Sequence, residues 1–204
     1  MVKRVVLFIF VFSGFLFAQD NWSVEFNGIF VRPSEAESEL GFAFLLYKSY
    51  DENTRFFVNA GNWNWGEVKN FRGGVGNDGY HIETYNNNTF YPVFLGIEEK
   101  IKGDKEFNSF FTAEIGGGYI TYDSYYYDQY RFNDRWIRDS FSKPVSMNEW
   151  LYGMGLGFGI SHRAWEVIDL RYNFKVYKLG GDYEKFGDLG SIYIISNFGI
   201  ALAL

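Results

Sequence analysis

The stretch EWLYGMGLGFGIS, Glu149–Ser161, puts Trp150, Tyr152, Met154, Leu156, Phe158 and Ile160 at every second position and fills four intervening positions with Gly153, Gly155, Gly157 and Gly159. A period of two belongs to a strand whose two faces meet different surroundings. One face here is large and apolar six times over, and the other carries almost no side chain. A dinucleotide-binding glycine loop needs a strand-to-helix turn, whereas this alternation runs straight through its glycines. A closed sheet in lipid accounts for both faces. Bulky apolar groups point outward, and glycines in a narrow interior leave room for larger groups from strands across the lumen.

The same period recurs along the chain and predicts eight strands. They cover about Trp22–Val31, Leu40–Tyr50, Arg55–Trp65, Phe90–Ile101, Phe107–Tyr122, Glu149–Ser161, Glu166–Tyr177 and Ser191–Leu204. In the third, Phe56, Val58 and Ala60 form one face while Trp63 and Trp65 fall on the other, which leaves its facing open. Pro92 cannot donate to a ladder, so a bulge or the outer end of the fourth strand is expected there.

The connections alternate in length. Arg32–Glu39, Gly66–Thr89, Asp123–Asn148 and Lys178–Gly190 are long; Asp51–Thr54, Lys102–Glu106 and His162–Trp165 are short. Long outer loops, short periplasmic turns and an even strand number are the plan of a transmembrane barrel. Lys3 and Arg4, the apolar run Val5–Phe17 and the small residue Ala18 fit an export signal. The expected organisation is therefore a signal peptide at 1–18 and a barrel at 19–204. Its expected location is the bacterial outer membrane, with both termini periplasmic.

Composition agrees. Aromatic residues make up 22% of the 204, beside 23 Gly, 3 Pro and no Cys. Without cysteine there is neither a disulfide framework nor a lipidated N-terminus. Removing Lys3 and Arg4 leaves 17 basic against 25 acidic residues, a net charge near −8, with no basic patch for nucleic acid.

This architecture resembles the small eight-stranded outer-membrane barrels of the OmpA membrane-domain and OmpX type. The terminal stretch IYIISNFGIALAL is similar to their C-terminal recognition strand, although it ends in Leu204 where an aromatic residue is common. The resemblance implies outer-membrane lipid and the barrel-assembly machinery as partners. It carries over no functional residue.

Within the predicted barrel, Glu25, Glu98, Glu114, Asp169, Arg171 and Lys175 fall on the inner face, and Arg55 is a further candidate by position alone. Charges of both signs in a narrow lumen predict a plugged polar network rather than an open pore. Trp22 and Trp165 are expected at the periplasmic edge of an aromatic girdle, and Tyr119 and Trp150 at the outer edge. The segment Asp123–Asp139 combines Tyr125, Tyr126, Tyr127, Tyr130 and Trp136 with Arg131, Arg135 and Arg138. Rings beside arginines make it the candidate surface for an extracellular ligand or partner. The same residues also fit strands that continue above the membrane, with the rings packed on their neighbours.

Catalytic and metal signals are weak. GGVGNDGYH, Gly73–His81, departs from the calcium nonapeptide pattern at Tyr80 and occurs once, so no metal is expected. Ser161 and His162 are adjacent, which sends them to opposite faces of a strand. No catalytic residue and no cofactor are predicted. The expected role is structural or interactive, with a lipid-modifying barrel enzyme and a narrow solute channel as the alternatives. Ten strands replace eight if a long connection hides a hairpin.

Overall fold

The computed structural model describes residues 21–33, 36–74, 79–104, 106–133, 135–139, 142–181 and 191–203. The expected signal segment, and most of the connection Lys178–Gly190, lie outside the described residues. Among the described residues nine strands follow one another: β1 (Trp22–Pro33), β2 (Ala36–Ser49), β3 (Thr54–Gly74), β4 (Gly79–Gly103), β5 (Phe107–Phe132), β6 (Arg135–Asp139), β7 (Val145–Trp165), β8 (Ile168–Gly181) and β9 (Ser191–Ala203). All pairings are antiparallel. Pairing of β4 with β5, and of β1 with β9, closes eight of the strands into a barrel. Among the described residues the short β6 pairs with β5 alone and stands outside the ring.

The stagger can be counted residue by residue. The register leads from Trp22 through Lys48, Phe56, Ile97, Ala113, Leu156, Val176 and Ile194 to Arg32, ten residues further along β1. Eight strands with that stagger tilt by about 40° and enclose a space only wide enough to be filled by side chains. Closure also leaves no barrel edge and pairs the spanning backbone, the condition for a sheet in lipid.

The alternation read in the sequence sorts the residues. Phe158 and Ile200 are exposed on the outer face with the rest of their rows, while Glu25, Asn27, Glu114, Arg171 and Lys175 are buried inside. From Ile160 to Trp150, the six outward apolar residues of β7 span ten residue steps. At ~3.3 Å per residue and this tilt, they cover about 25 Å. From Arg55 to Trp65 the third strand keeps one facing: Phe56 and Val58 point out, and Phe57, Asn59, Trp63 and Trp65 are buried inside.

Several boundaries differ from the sequence reading. The connection Arg32–Glu39 is short, because β1 reaches Pro33 and β2 begins at Ala36. Strand β7 runs on to Trp165 and β8 starts at Ile168, so the third short turn sits at Glu166–Val167. Pro92 is neither at a bulge nor at a strand end. It lies mid-strand opposite Gly118, and on its other side pairing passes from Ala60↔Val93 to Trp63↔Phe90 with the register unchanged. The ladder tolerates the missing N–H by skipping the pairs between.

The largest difference is that Gly66–Thr89 and Asp123–Asn148 are mostly strand. Beyond the apolar band, β3, β4 and β5 continue as a sheet, joined by β6 through Asp128↔Asp139 to Phe132↔Arg135. An irregularity marks its base. Asn87 has φ 54°, and the β4–β5 register shifts between Asn86 and Thr89. The extra residue exchanges the faces of β4, so that Ile82 and Thr84 pair with Tyr127 and Tyr125.

Candidate functional site

The barrel interior has three tiers. Nearest the mouth where the termini lie, Arg171 is 1% exposed at its side chain. Its Nε lies 2.8 Å from Glu25 Oε2, and its Nη2 donates to Glu98. Arg55, the register partner of Glu98, donates to the same carboxylate, and Tyr47 Oη donates to Glu25 Oε2 at 2.8 Å. Arg171 also stacks over Phe110, 4.1 Å from the ring centre. The second tier is centred on Glu114. It accepts from Lys175 Nζ, from Asn59 Nδ2 at 2.9 Å and from Tyr177 Oη at 3.0 Å. The two tiers hold Glu25, Glu98 and Glu114 against Arg55, Arg171 and Lys175, so the charges balance. Such balance is what makes burial of these ions tolerable.

The glycines of the opening stretch are explained here. Glu114, Gly155 and Tyr177 form one cross-strand row; Thr112, Gly157 and Lys175 the next; Phe110, Gly159 and Asn173 a third. In each row a β5 side chain and a β8 side chain meet above β7. A Cβ at 157 would stand 2.6 Å from both Lys175 Cγ and Thr112 Oγ1. The glycines therefore make room for the two flanking strands, not for strands across the lumen. Strand β9 repeats the device: Gly199 and Ala201 lie between Arg171 and Asp169 on β8 and Asn27 and Glu25 on β1.

The third tier is aromatic, where the sequence reading expected only polar groups. Trp63 stacks on Phe94 at 5.7 Å and meets Phe90 and Tyr177 edge-on at 5.5 and 4.9 Å. Trp65 meets Tyr193 at 5.0 Å. Ile29, Val31, Leu45, Leu179 and Ile195 fill the gaps between them. Each of these residues has lumen parity, so the tier was legible once the facing of β3 is known.

Asp169 is not part of the ion network. It lies at the mouth, half-buried, and accepts from Arg163 Nε at 3.1 Å. Together with Ser49, Asp51, Lys100, Asn108 and Ser161 it lines a mouth cavity of about 180 Å3 floored by Phe110 and Arg171. Two turns at this end share one device. Asp51 Oδ1 accepts from the N–H of Asn53 and of Thr54, both at 2.8 Å; Asp104 Oδ1 accepts from Glu106 at 2.8 Å and Phe107 at 2.7 Å. These backbone donors hold both carboxyls below the usual carboxylate range.

Ser161 faces this cavity, buried, while His162 is exposed on the other side of β7. No dyad forms between them. His81 instead pairs with Asp128 Oδ1 at 2.8 Å on the projecting sheet. On the opposite face of that sheet, Tyr125 stacks on Tyr127 at 6.5 Å, and Arg138 covers Tyr127 at 5.0 Å. Tyr126 is exposed, Tyr130 is half-buried and Arg135 is exposed. Backbone pairing sets Arg131 opposite Trp136, whose side chains lie outside the described residues.

On the outer surface, Trp150 meets Tyr119 edge-on at 5.7 Å, and Tyr91 is the register partner of Tyr119. At the other edge Lys48 Nζ lies over the Trp22 ring at 4.8 Å, and Trp165 is exposed at the end of β7.

Solved structures share this closed ring. The barrel of Neisserial surface protein A is similar at a TM-score of 0.50, with 12% identity over 90% of this chain and 97% of that one. This chain has the fold of the small eight-stranded outer-membrane barrels. Ail of Yersinia pestis, solved with the heparin analogue sucrose octasulfate, is similar at 0.46 with 10% identity over 89% and 95%. The N-terminal barrel of Pseudomonas aeruginosa OprF follows at 0.40 with 10% identity over 90% and 98%. No protein-family model matches this sequence, and no curated protein matches it.

Proposed function

We propose that this barrel sits in the bacterial outer membrane, termini periplasmic, as a closed stem that holds the β3–β6 sheet outside the cell as an interaction surface. The observation that carries the reading is the extension of β3, β4 and β5 far past the apolar band, into a sheet bearing Phe71, Tyr80, Tyr126 and Arg138. Exposed rings and arginines on a rigid sheet are the residue types that anchor protein and glycan partners. A lumen filled by two neutral ion clusters under an aromatic tier supports a stem over a channel. The opposite facing of Ser161 and His162 gives a lipid-modifying enzyme no nucleophile–base pair. The mature unit is residues 19–204, delivered through an export signal at 1–18, and its C-terminal strand serves the barrel-assembly machinery.

The test compares the full chain in nanodiscs with a variant whose β3–β4 and β5–β6 extensions are cut back to short turns. Both are probed on an array of matrix proteins and sulfated glycans. The reading expects array binding by the full chain alone. Equal binding by the trimmed barrel, or by neither, would count against it.

A further inference from the structure

Among the outward-facing described positions in the outer half of the apolar band, only two carry a formal charge: Arg32 on β1 and Lys178 on β8. Both are exposed, and neither has an ion pair or hydrogen bond among the described residues. The register relates them. Arg32 pairs with Ile194, Ile194 with Val176, and Lys178 lies two residues beyond Val176 opposite Ile192. Each residue advances about 2.5 Å along the barrel axis, and each strand step along the register rises about 3 Å. Arg32 and Lys178 therefore stand at one height, level with Tyr91 and Tyr152 at the outer edge of the band. They flank β9 with Cα atoms about 12 Å apart, a gap that two long side chains can close from both sides.

A cation on a lipid-facing strand is costly at the bilayer midplane and is tolerated near the interface, so at this edge Arg32 and Lys178 keep their charge and carry it to the level of the headgroups. Elsewhere on this edge the barrel uses neutral residues: Leu40, Tyr91, Tyr119 and Tyr152. Directly below the pair are Phe30, Phe174, Val176 and Phe198, a surface for acyl chains.

We propose that the β8–β9–β1 face binds one diphosphorylated glycolipid of the outer leaflet, with Arg32 and Lys178 each meeting a phosphate and Ile192 and Ile194 between them against the headgroup. Two separated cations suit a headgroup with two separated phosphates better than a single phosphodiester. The site rests on the membrane orientation proposed above.

Native mass spectrometry of the full chain released from nanodiscs tests it, with diphosphoryl lipid A, monophosphoryl lipid A and phosphatidylglycerol as probes. Wild type should retain diphosphoryl lipid A best. The double variant Arg32→Gln, Lys178→Gln should lower that retention at least ten-fold. Lys48→Gln, at the opposite edge, should leave it unchanged. Unchanged retention in the double variant means that the cations merely reach for water and overturns the site. So does an equal loss in Lys48→Gln, or equal retention of phosphatidylglycerol by wild type. Heat-modifiable gel migration verifies that each variant is folded. A chain that never enters nanodiscs overturns the membrane reading itself, an outcome distinct from these.

Discussion

Gly157 is the register partner of Lys175, and the Lys175–Glu114 ion pair passes directly over the strand that carries Gly157. Glu114 belongs to β5 and Lys175 to β8, so β7 is the floor between them. Any side chain at 155 or 157 would stand in that gap. The glycine row and the buried charges are thus one construction.

Filling the floor should destabilise the barrel. A Cβ at 155 would meet the Tyr177 ring, with Cδ1 at 2.5 Å, whereas one at Gly180 would meet nothing within 4 Å. Gly155→Val should cost about 1–3 kcal/mol by overpacking, and Gly180→Ala close to nothing. Urea unfolding in micelles, followed by tryptophan fluorescence, reads both. Equal midpoints for the two variants would refute the floor.

Glu114 should depend on Lys175. The side chains of the pair are each 1% exposed. Lys175→Met leaves a buried carboxylate without its cation and should cost about 3–5 kcal/mol. Adding Glu114→Gln should recover much of that loss, since it removes the orphaned charge. A double variant no more stable than Lys175→Met would show that the two do not act as a pair.

The proposed closed lumen would have two barriers in series, the Arg171 cluster and the aromatic tier, and conductance should reflect both. Wild type in planar bilayers should show no steady steps. Trp63→Ala should weaken the barrel by about 3–5 kcal/mol through the cavity it leaves, yet stay closed because the Arg171 cluster persists below. Open steps from Trp63→Ala alone would place the whole barrier in the aromatic tier.

The short turns should respond to acid in a defined direction. Backbone N–H donors, from Asn53 first at Asp51 and from Phe107 first at Asp104, hold both carboxyls below the unfolded value of about 3.9. Their contribution to stability is therefore present above that value and lost as pH falls through the lower folded one. Carboxyl NMR titration of the refolded barrel should give midpoints below the unfolded reference for Asp51 and Asp104. In Asp51→Ala and Asp104→Ala, the turn amides should exchange faster at neutral pH. Ordinary midpoints would remove the turns from the acid response.

The sequence by itself determined the outside of this protein. Lipid imposes one demand at every outward position, so alternation such as Trp150 to Ile160 is a local signal, readable without knowing which strand lies alongside. The same parity assigned Glu25, Glu98, Glu114, Arg171 and Lys175 to the interior. What only the tertiary structure decided was who meets whom there. Register fixes that Lys175 reaches Glu114 over Gly157, that Tyr47 donates to Glu25, and that Asp169 stays at the mouth with Arg163. The continuation of β5 was open in the sequence as strands running on above the membrane at Asp123–Asp139, whereas that of β3 and β4 was hidden for a related reason. Outside lipid, the two faces of a strand meet more similar surroundings, so the period of two fades and paired strands read as loops.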